Sequence, residues 1–385
     1  MTEKPYRQAY LLPIIGIFLF CFTSQLHNNI LPVFLSHKGV SQTEIEHIEI
    51  LQMLGYVVAS FVLMIVTSVY SYKRIIILNL SIYLVALMLS MLIKTKHSLE
   101  VYSFIMSACG FLYITLNFIE AIESFEKSKN MVIMLFFFVW GTGHLCADYL
   151  ALHLVTSQLF VATTLNIMAI GLIIAITALF SNDLYKYVST NDNVNFKNLI
   201  ENIELQAISG FVVSYTVASL YWNYEVIANI GNFAIKDSEL QVEQLVTGFL
   251  GACIPINIMV IYINKYLLNL IFGILLFFAI IAIPLVANNE ISNMAVLNII
   301  GACLCIIASC NILTLTDKFE DKHLESSLQI YFLMSAIGAF TGIAYGDSLI
   351  ESLGETGFIA ALCFVIGAFL AYYIYQFFNR RLYIF

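Results

Sequence analysis

Three side chains that can bind a ligand or carry a proton follow one another along a single apolar stretch. Trp140, His144 and Asp148 are four residues apart, so a helix places them on one face. A histidine close to a carboxylate can exchange a proton near neutral pH, because the imidazole titrates in that range. A carboxylate inside an apolar helix is costly and is rarely kept without a function. The spacing therefore predicts that His144 and Asp148 carry protons and that Trp140 adjoins a binding site.

Two other apolar segments carry polar residues that would lie at a similar depth. The depth follows from counting 1.5 Å per helical residue from the segment ends. The residues are His27, Asn28 and Asn29 on one segment, and Trp222, Asn223 and Glu225 on the other. We predict that the histidine, the asparagines and the tryptophans bind a substrate. We predict that Glu225 carries protons, as His144 and Asp148 do. The alternative for His27 is a structural hydrogen bond to a neighbouring helix, and for Glu225 a solvated position at the membrane surface.

A further acidic residue lies on a segment with its own polar face. Tyr113, Asn117 and Glu120 are spaced i, i+4 and i+7, which is again one side of a helix. Glu120 approaches a segment end that is followed by basic residues, so we predict a role in proton coupling or in a gate. The alternative is an ordinary carboxylate at a helix end. In the second half of the chain Asn311 is the uncharged candidate for substrate binding.

The composition excludes a soluble globular protein. Hydrophobic residues make up 61% of the 385 residues and charged residues only 11%, whereas soluble domains carry roughly a quarter charged residues. The eight cysteines fall inside apolar segments without metal-ligand spacing, and we expect them to be small packing residues. No catalytic set is recognisable. We therefore expect a polytopic membrane protein that is not an enzyme, with no cofactor, no metal and no nucleic-acid partner.

Twelve segments are long enough to cross a bilayer, which takes about 20 apolar residues each. We place them at 10–35, 43–69, 75–93, 99–121, 131–153, 157–181, 205–232, 240–263, 267–287, 293–316, 325–346 and 353–378. The long polar stretch after the sixth segment divides them into six and six. The predicted fold is all-α, with an N-terminal six-helix bundle at 1–181, a cytoplasmic linker at 182–204 and a C-terminal six-helix bundle at 205–385.

The basic residues predict the orientation. With an even number of spans both termini lie on one side, which would hold thirteen of the 17 Lys and Arg residues. Because cytoplasmic loops are enriched in basic residues, both termini and the linker are predicted to be cytoplasmic. The halves also look like a parallel repeat, since Lys73 and Lys265 follow the second and eighth spans 192 residues apart. Every third span lacks charged and histidine residues in its interior, which predicts that these spans face lipid.

Over essentially its whole length the chain resembles the major facilitator superfamily. The resemblance rests on the two six-span halves, the polar linker and the basic turns after spans 2 and 8. The stretch NFIEAIESFEKSKN, which contains Glu120, is similar to the span 4–5 region of some compact bacterial members. The signature between spans 2 and 3 departs from the family, because Met64, Ser68 and Ser71 stand where glycine, aspartate and glycine are expected. The resemblance implies alternating access, with spans 1, 4, 7 and 10 lining a cavity.

Together these features predict a secondary active transporter of the bacterial cytoplasmic (inner) membrane. It would move a small molecule by alternating access, and an ion gradient would supply the energy, because the sequence contains no nucleotide-binding loop. Proton coupling would run through a subset of Asp148, His144, Glu225 and Glu120. The alternative is a transporter-like receptor or scaffold that moves nothing, which the altered signature favours. Within transport, drug or metabolite export and nutrient or siderophore import both stay open. Expected partners are the small-molecule substrate, protons and the lipid bilayer, and the protein is expected to act as a monomer.

Overall fold

The computed structural model is helical in the parts of the chain that it describes. These are residues 11–37, 42–90, 96–124, 129–153, 159–180, 196–230, 238–286, 288–319 and 321–379. Helices are the expected elements here, because backbone groups in a bilayer must form their hydrogen bonds within the protein.

Eleven helices follow one another along the described residues. They are α1 (Leu11–His37), α2 (Gln42–Val66), α3 (Tyr72–Leu89), α4 (Lys96–Ser124), α5 (Lys129–His153), α6 (Leu159–Phe180), α7 (Phe196–Ile230), α8 (Ser238–Tyr262), α9 (Lys265–Val286), α10 (Glu290–Lys318) and α11 (Asp321–Asn379). The last helix is broken at Gly354, where φ is 68° and ψ is −175°. Only glycine adopts this conformation readily, so the break divides α11 into two arms.

These helices supply twelve apolar segments. Eleven of the segments are long and apolar enough to cross a membrane, and α11 provides two of them, His323–Gly346 and Thr356–Phe378. The twelfth is the shorter apolar stretch Ile50–Val66 of α2. The predicted all-α membrane fold with twelve transmembrane helices is therefore confirmed.

One helix begins well before its predicted span. α7 starts at Phe196, so residues 196–204 of the predicted linker are helical, while 182–195 lie outside the described residues. The early turns of α7 are amphipathic, with Ile203 buried and Asn202 exposed. A hydropathy criterion detects only the part of a helix that lies in the bilayer, which explains the difference.

The chain forms two compact units in which the second, third and fourth helices pair in the same way. The first contains α1–α4, α6 and α5 from Leu135 onward, and the second contains α7–α11 with the first residues of α5, Lys129–Met134. In the first unit α1 packs on α6, α2 on α4, and α3 on both α4 and α6. In the second unit α8 packs on α10, and α9 packs on both α10 and α11, as their counterparts do in the first unit. α7 packs on α11, with close contacts at Gly338 and Gly342 of its first arm. The pairing of the second, third and fourth helices therefore fits the predicted repeat.

A glycine marks the contact between the second and fourth helices of each unit. A Cβ on Gly55 of α2 would lie 2.8 Å from the Phe104 carbonyl oxygen of α4. A Cβ on Gly248 of α8 would overlap the Asn298 carbonyl oxygen of α10. The two glycines are 193 residues apart in the sequence. Each allows one helix to approach the backbone of its neighbour.

The cysteines are all free thiols, and six of the eight are buried. Cys253 of α8 and Cys305 of α10 lie in contact, with their Sγ atoms 3.7 Å apart. This arrangement fits the predicted packing role, although Cys146 is exposed. Among the described residues no group of three or more His, Cys, Asp or Glu side chains could hold a metal ion.

The buried fraction of each span largely follows the prediction that every third span faces lipid. Between 67% and 78% of the span is buried in α4, α7 and α10, and at most 39% in α3, α6, α9 and the second arm of α11. However, α5 and α8 are as exposed as the latter group, with 33% and 22% of their spans buried. Exposure is therefore not confined to every third span.

Candidate functional site

The Asp148 carboxylate of α5 is held by two amide side chains of α1. Asn29 Nδ2 donates to Asp148 Oδ1 at 2.7 Å, and Gln25 Nε2 lies 3.4 Å from the same oxygen. Gln25 also donates to Asn29 Oδ1 at 2.9 Å, one helical turn along α1. Two residues of the predicted site, Asn29 and Asp148, are thus in direct contact, and Gln25 joins them.

Gly143 brings α5 close to α1 at this point. A Cβ at Gly143 would lie 3.0 Å from the Cβ atom of Cys21 and 3.3 Å from the carbonyl oxygen of Phe18. The missing side chain lets the two backbones approach. Asp148, five residues further along α5, can therefore reach Asn29.

The aromatic residues of α5 lie on the same face as Asp148. The rings of Trp140 and His144 are in contact, with centroids 4.7 Å apart and planes at 59°. All three side chains are half-buried. The helix face predicted from their spacing is therefore present, with the His144 ring against Trp140 and the Asp148 hydrogen bonds directed to α1.

His27 faces the opposite side of α1. It is fully buried, its Nε2 atom lies 2.7 Å from the Tyr102 hydroxyl of α4, and its Nδ1 atom lies 3.3 Å from the Thr163 hydroxyl of α6. Two residues along a helix correspond to a rotation of about 200°, so His27 and Asn29 point in opposite directions. The structure does not bring His27 to Asp148, and its contacts match the structural alternative.

Further hydrogen bonds connect this side of α1 to α3 and α6. Thr23 Oγ1 donates to Asn166 Oδ1 at 3.2 Å, and Asn166 Nδ2 donates to the Tyr83 hydroxyl at 3.2 Å. Tyr83 in turn donates to Ser24 Oγ at 3.1 Å. We call the whole set the α1 seam: Thr23, Ser24, His27, Tyr83, Tyr102, Thr163 and Asn166. Sequence reasoning missed its uncharged members, because the sequence of one helix does not show which of its polar residues face a neighbouring helix.

Glu120 lies half-buried on α4, beyond the polar residues with which it was predicted to share a face. Asn117 Nδ2 donates to the Tyr113 carbonyl oxygen at 2.7 Å. The Tyr113 ring packs against Phe20 of α1, with centroids 4.8 Å apart. The face therefore runs from the core of the first unit at Tyr113 towards the end of α4 at Glu120.

Asn311 is enclosed within the second unit. It is fully buried, and its Nδ2 atom donates to Ser209 Oγ at 2.5 Å and to the Ile307 carbonyl oxygen at 2.8 Å. Its Oδ1 atom accepts from Asn269 Nδ2 at 2.9 Å. Asn311 thus links α7, α9 and α10, and both ends of its amide are engaged within the unit.

The remaining candidates are placed only in part. Asn28 is exposed on α1. Trp222, Asn223 and Glu225 belong to the backbone of α7, but their side chains lie outside the described residues.

The family follows from comparison with known proteins. A family model described as Major Facilitator Superfamily matches residues 14–343. The chain belongs to the major facilitator superfamily. It is also 30% identical over 387 residues, the whole of both chains, to the uncharacterized protein RP255 of Rickettsia prowazekii (strain Madrid E). The predicted resemblance is confirmed, and the family identifies a multi-pass membrane transporter.

This member of the major facilitator superfamily has an altered turn between α2 and α3. Ser68, which stands at the aspartate position of the signature, is exposed and donates to the Ile65 carbonyl oxygen at 2.6 Å. Ser71 precedes α3 without a side-chain hydrogen bond that caps the helix. Lys73 and Arg74 follow in the first turn of α3. The hydroxyl of Ser68 serves a local carbonyl group and supplies no carboxylate for a basic partner.

Proposed function

We propose that the protein is a proton-coupled secondary active transporter of the bacterial cytoplasmic membrane. It moves a small molecule by alternating access, requires no cofactor and acts as a monomer. Membership of the major facilitator superfamily supports the transport role. The contact between Asp148 and α1 is the observation that carries the proposal of proton coupling.

Asp148 has the surroundings of a proton-binding carboxylate. A charged carboxylate inside a membrane span is costly and usually has a polar partner or contact with water. Here Asn29 and Gln25 donate hydrogen bonds to one of its oxygens, and both side chains are neutral. Amides stabilise the charge without neutralising it. A proton that binds Asp148 therefore does not have to displace a cationic side chain from these two positions.

Proton binding changes the contact between α1 and α5. The 2.7 Å hydrogen bond from Asn29 is directed to a carboxylate oxygen, and hydrogen bonds to a charged acceptor are roughly twice as strong as neutral ones. A proton on Asp148 weakens this bond, and loss of the proton restores it. We propose that this difference biases the conformational equilibrium of the transport cycle.

We place the substrate beside this contact. Asn28 is exposed next to Asn29, and Trp140 and His144 share the α5 face of Asp148. Trp222 and Asn223 of α7 stay proposed substrate-binding residues, and the proposed further proton carriers are His144, Glu120 and Glu225. Because these residues include no lysine or arginine, the proposed substrate is cationic, zwitterionic or uncharged. His27 and Asn311 are left out of the site, since their polar atoms are engaged inside the units.

The test uses purified protein in liposomes that enclose a pH-sensitive dye. Metabolites, siderophores and cationic drugs are added in turn, and we expect at least one of them to evoke proton movement. Asp148→Asn should abolish this movement, because the amide cannot exchange a proton. Glu290→Gln, which neutralises an exposed carboxylate at the start of α10, is the matched control and should behave like the unaltered protein.

Two results would count against the proposal. Normal proton movement in Asp148→Asn would remove this residue from the coupling mechanism. Absence of any substrate-evoked signal from folded protein across the whole panel would favour the receptor or scaffold.

A further inference from the structure

We propose that the second unit binds the headgroup of an anionic phospholipid in a cavity at the end where α8 and α10 finish. The lipid's acyl chain would lie on the exposed face of α8. This inference does not depend on proton coupling or on the proposed substrate site.

The cavity has a volume of about 390 Å³ and is formed by the turn between α8 and α9 together with the end of α10. Its charged lining residues are Lys265, Asp317 and Lys318, and the uncharged polar ones include Asn264 and Thr314. The volume lies within the range of cavities that bind small molecules. Two of the three charged side chains are basic, so the charge of the lining suits an anion.

Both lysines are held in position by other groups of the unit. Lys265 forms an ion pair with Asp317. Lys318 donates to the Asn202 carbonyl oxygen of α7 at 2.6 Å, and its ammonium lies 5.9 Å from the centroid of the Phe319 ring. Positioned ammonium groups favour a phosphate, because hydrogen bonds between two charged partners are short and strong.

An apolar stripe of α8 leads to the cavity. Ile254, Ile258 and Ile261 are spaced i, i+4 and i+7 and are 63%, 59% and 69% exposed. Ile261 and its neighbour Tyr262 also line the cavity. Only 22% of the α8 span is buried, so this face is available to a lipid chain. An acyl chain that lies along this stripe places the headgroup of its lipid at the end of the span, where the two lysines lie.

The expected charge of the headgroup follows from the side chains that would contact it. A phosphatidylglycerol headgroup offers a phosphate and hydroxyl groups, which match lysine, asparagine and threonine. A phosphatidylcholine headgroup adds a quaternary ammonium, which the two lysines would repel. Basic residues near the membrane surface are attracted to anionic lipids. We therefore expect selectivity for the anionic lipid.

The test measures lipid binding to the detergent-solubilised full-length chain by native mass spectrometry. Phosphatidylglycerol and phosphatidylcholine are titrated separately, and inorganic phosphate is titrated alone. We expect phosphatidylglycerol to bind with clear preference, and the double variant Lys265→Gln, Lys318→Gln to bind it at least about tenfold more weakly. Lys73→Gln is the matched control, because it removes a lysine at the start of α3 in the other unit, and should bind as the unaltered protein does.

Asp317→Asn supplies a test in the opposite direction. It removes the negative charge, while the asparagine oxygen can still accept a hydrogen bond from Lys265, so phosphatidylglycerol should bind more tightly than to the unaltered protein. Unchanged or weaker binding in this variant would overturn the proposal even if the double lysine variant failed to fold. Equal binding of the two lipids, undiminished binding by a folded double variant, or binding of inorganic phosphate in place of the lipid would also overturn it.

Discussion

His27 and Asn29 stand two residues apart on α1, and their hydrogen bonds serve different purposes. Both ring nitrogens of His27 face hydroxyl groups, from Tyr102 and Thr163. A hydroxyl can donate or accept, so either neutral tautomer of the imidazole is satisfied. Asn29 instead donates to the carboxylate of Asp148, where a change of protonation alters the bond. A polar residue in a span is thus structural or functional according to its partner.

Removing one hydroxyl of the α1 seam tests the structural role of His27. Tyr102→Phe takes away the partner at 2.7 Å and leaves Nε2 of a fully buried ring without it. An unsatisfied buried polar group costs about 1–3 kcal/mol, so the thermal unfolding midpoint in detergent should fall. Tyr375→Phe, at a 61% exposed tyrosine, should leave it unchanged. A Tyr102→Phe protein as stable as the control would show that the seam does not support the fold.

Residue spacing predicted the shared face of Trp140, His144 and Asp148 on α5 but not the partners of each side chain. The i, i+4, i+8 pattern of Trp140, His144 and Asp148 is a property of one helix, and the structure reproduces it. Whether His27 or Asn29 meets Asp148 depends on the rotation of α1, which its neighbours determine. The two-residue spacing of His27 and Asn29 already excludes a common direction. The hydroxyls of Tyr102 and Thr163 lie on other helices, and one sequence does not pair them with His27.

At the scale of helices, the contact between α8 and α10 depends on glycine. A Cβ on Gly301 of α10 would overlap the carbonyl oxygen of Leu245 in α8 and lie 3.0 Å from the Phe249 nitrogen. Backbone atoms have little freedom to move away, in contrast to the end of a flexible side chain. The helices would have to separate along a buried interface.

We therefore expect Gly301→Ala to destabilise the protein by about 1–3 kcal/mol, the usual cost of overpacking a core. Gly251→Ala is the matched control, since a Cβ on Gly251 of α8 meets nothing within 4 Å. The measurement is the thermal unfolding midpoint of each variant in the same detergent. Equal midpoints for the two variants would contradict the close approach of α8 and α10.

Helix ends were predictable from hydropathy only where a helix stops at the membrane surface. α5 and α6 end within two residues of their predicted limits. α7 does not, because Phe196 to Glu204 form an amphipathic extension whose apolar residues include the buried Ile203. The hydrogen bond from Lys318 of α10 to Asn202 in this extension joins residues 116 positions apart. Local sequence patterns do not predict a contact between such distant residues.

At the scale of the whole molecule, the recurrence of one pairing scheme in two units supports an origin from a repeated six-span element. The scheme is specific, because the second helix meets the fourth through Gly55 in one unit and Gly248 in the other. Overall sequence identity between the halves is too low to show the repeat without gaps. Contacts between helices retain it, since they depend on a few small residues.

The orientation in the membrane remains a prediction with a direct test. An epitope at the C-terminus should bind an impermeant antibody only after spheroplasts are permeabilised, because basic residues favour the cytoplasmic side. An epitope inserted at 91–95, between α3 and α4, should bind it in intact spheroplasts. Access to the C-terminal epitope from outside would contradict the predicted orientation.

The hydrogen bonds on the two sides of α1 also limit where residues can be inserted into or deleted from this helix. Thr23 and Ser24 are tied to α6 and α3 on one side, and Gln25 and Asn29 to Asp148 on the other. One residue inserted after Ser24 would turn the following side chains by about 100° relative to the seam. Asn29 and His27 would then lose their partners together. Deletions and insertions in 23–29 should therefore be far more damaging than exchanges of one apolar residue for another.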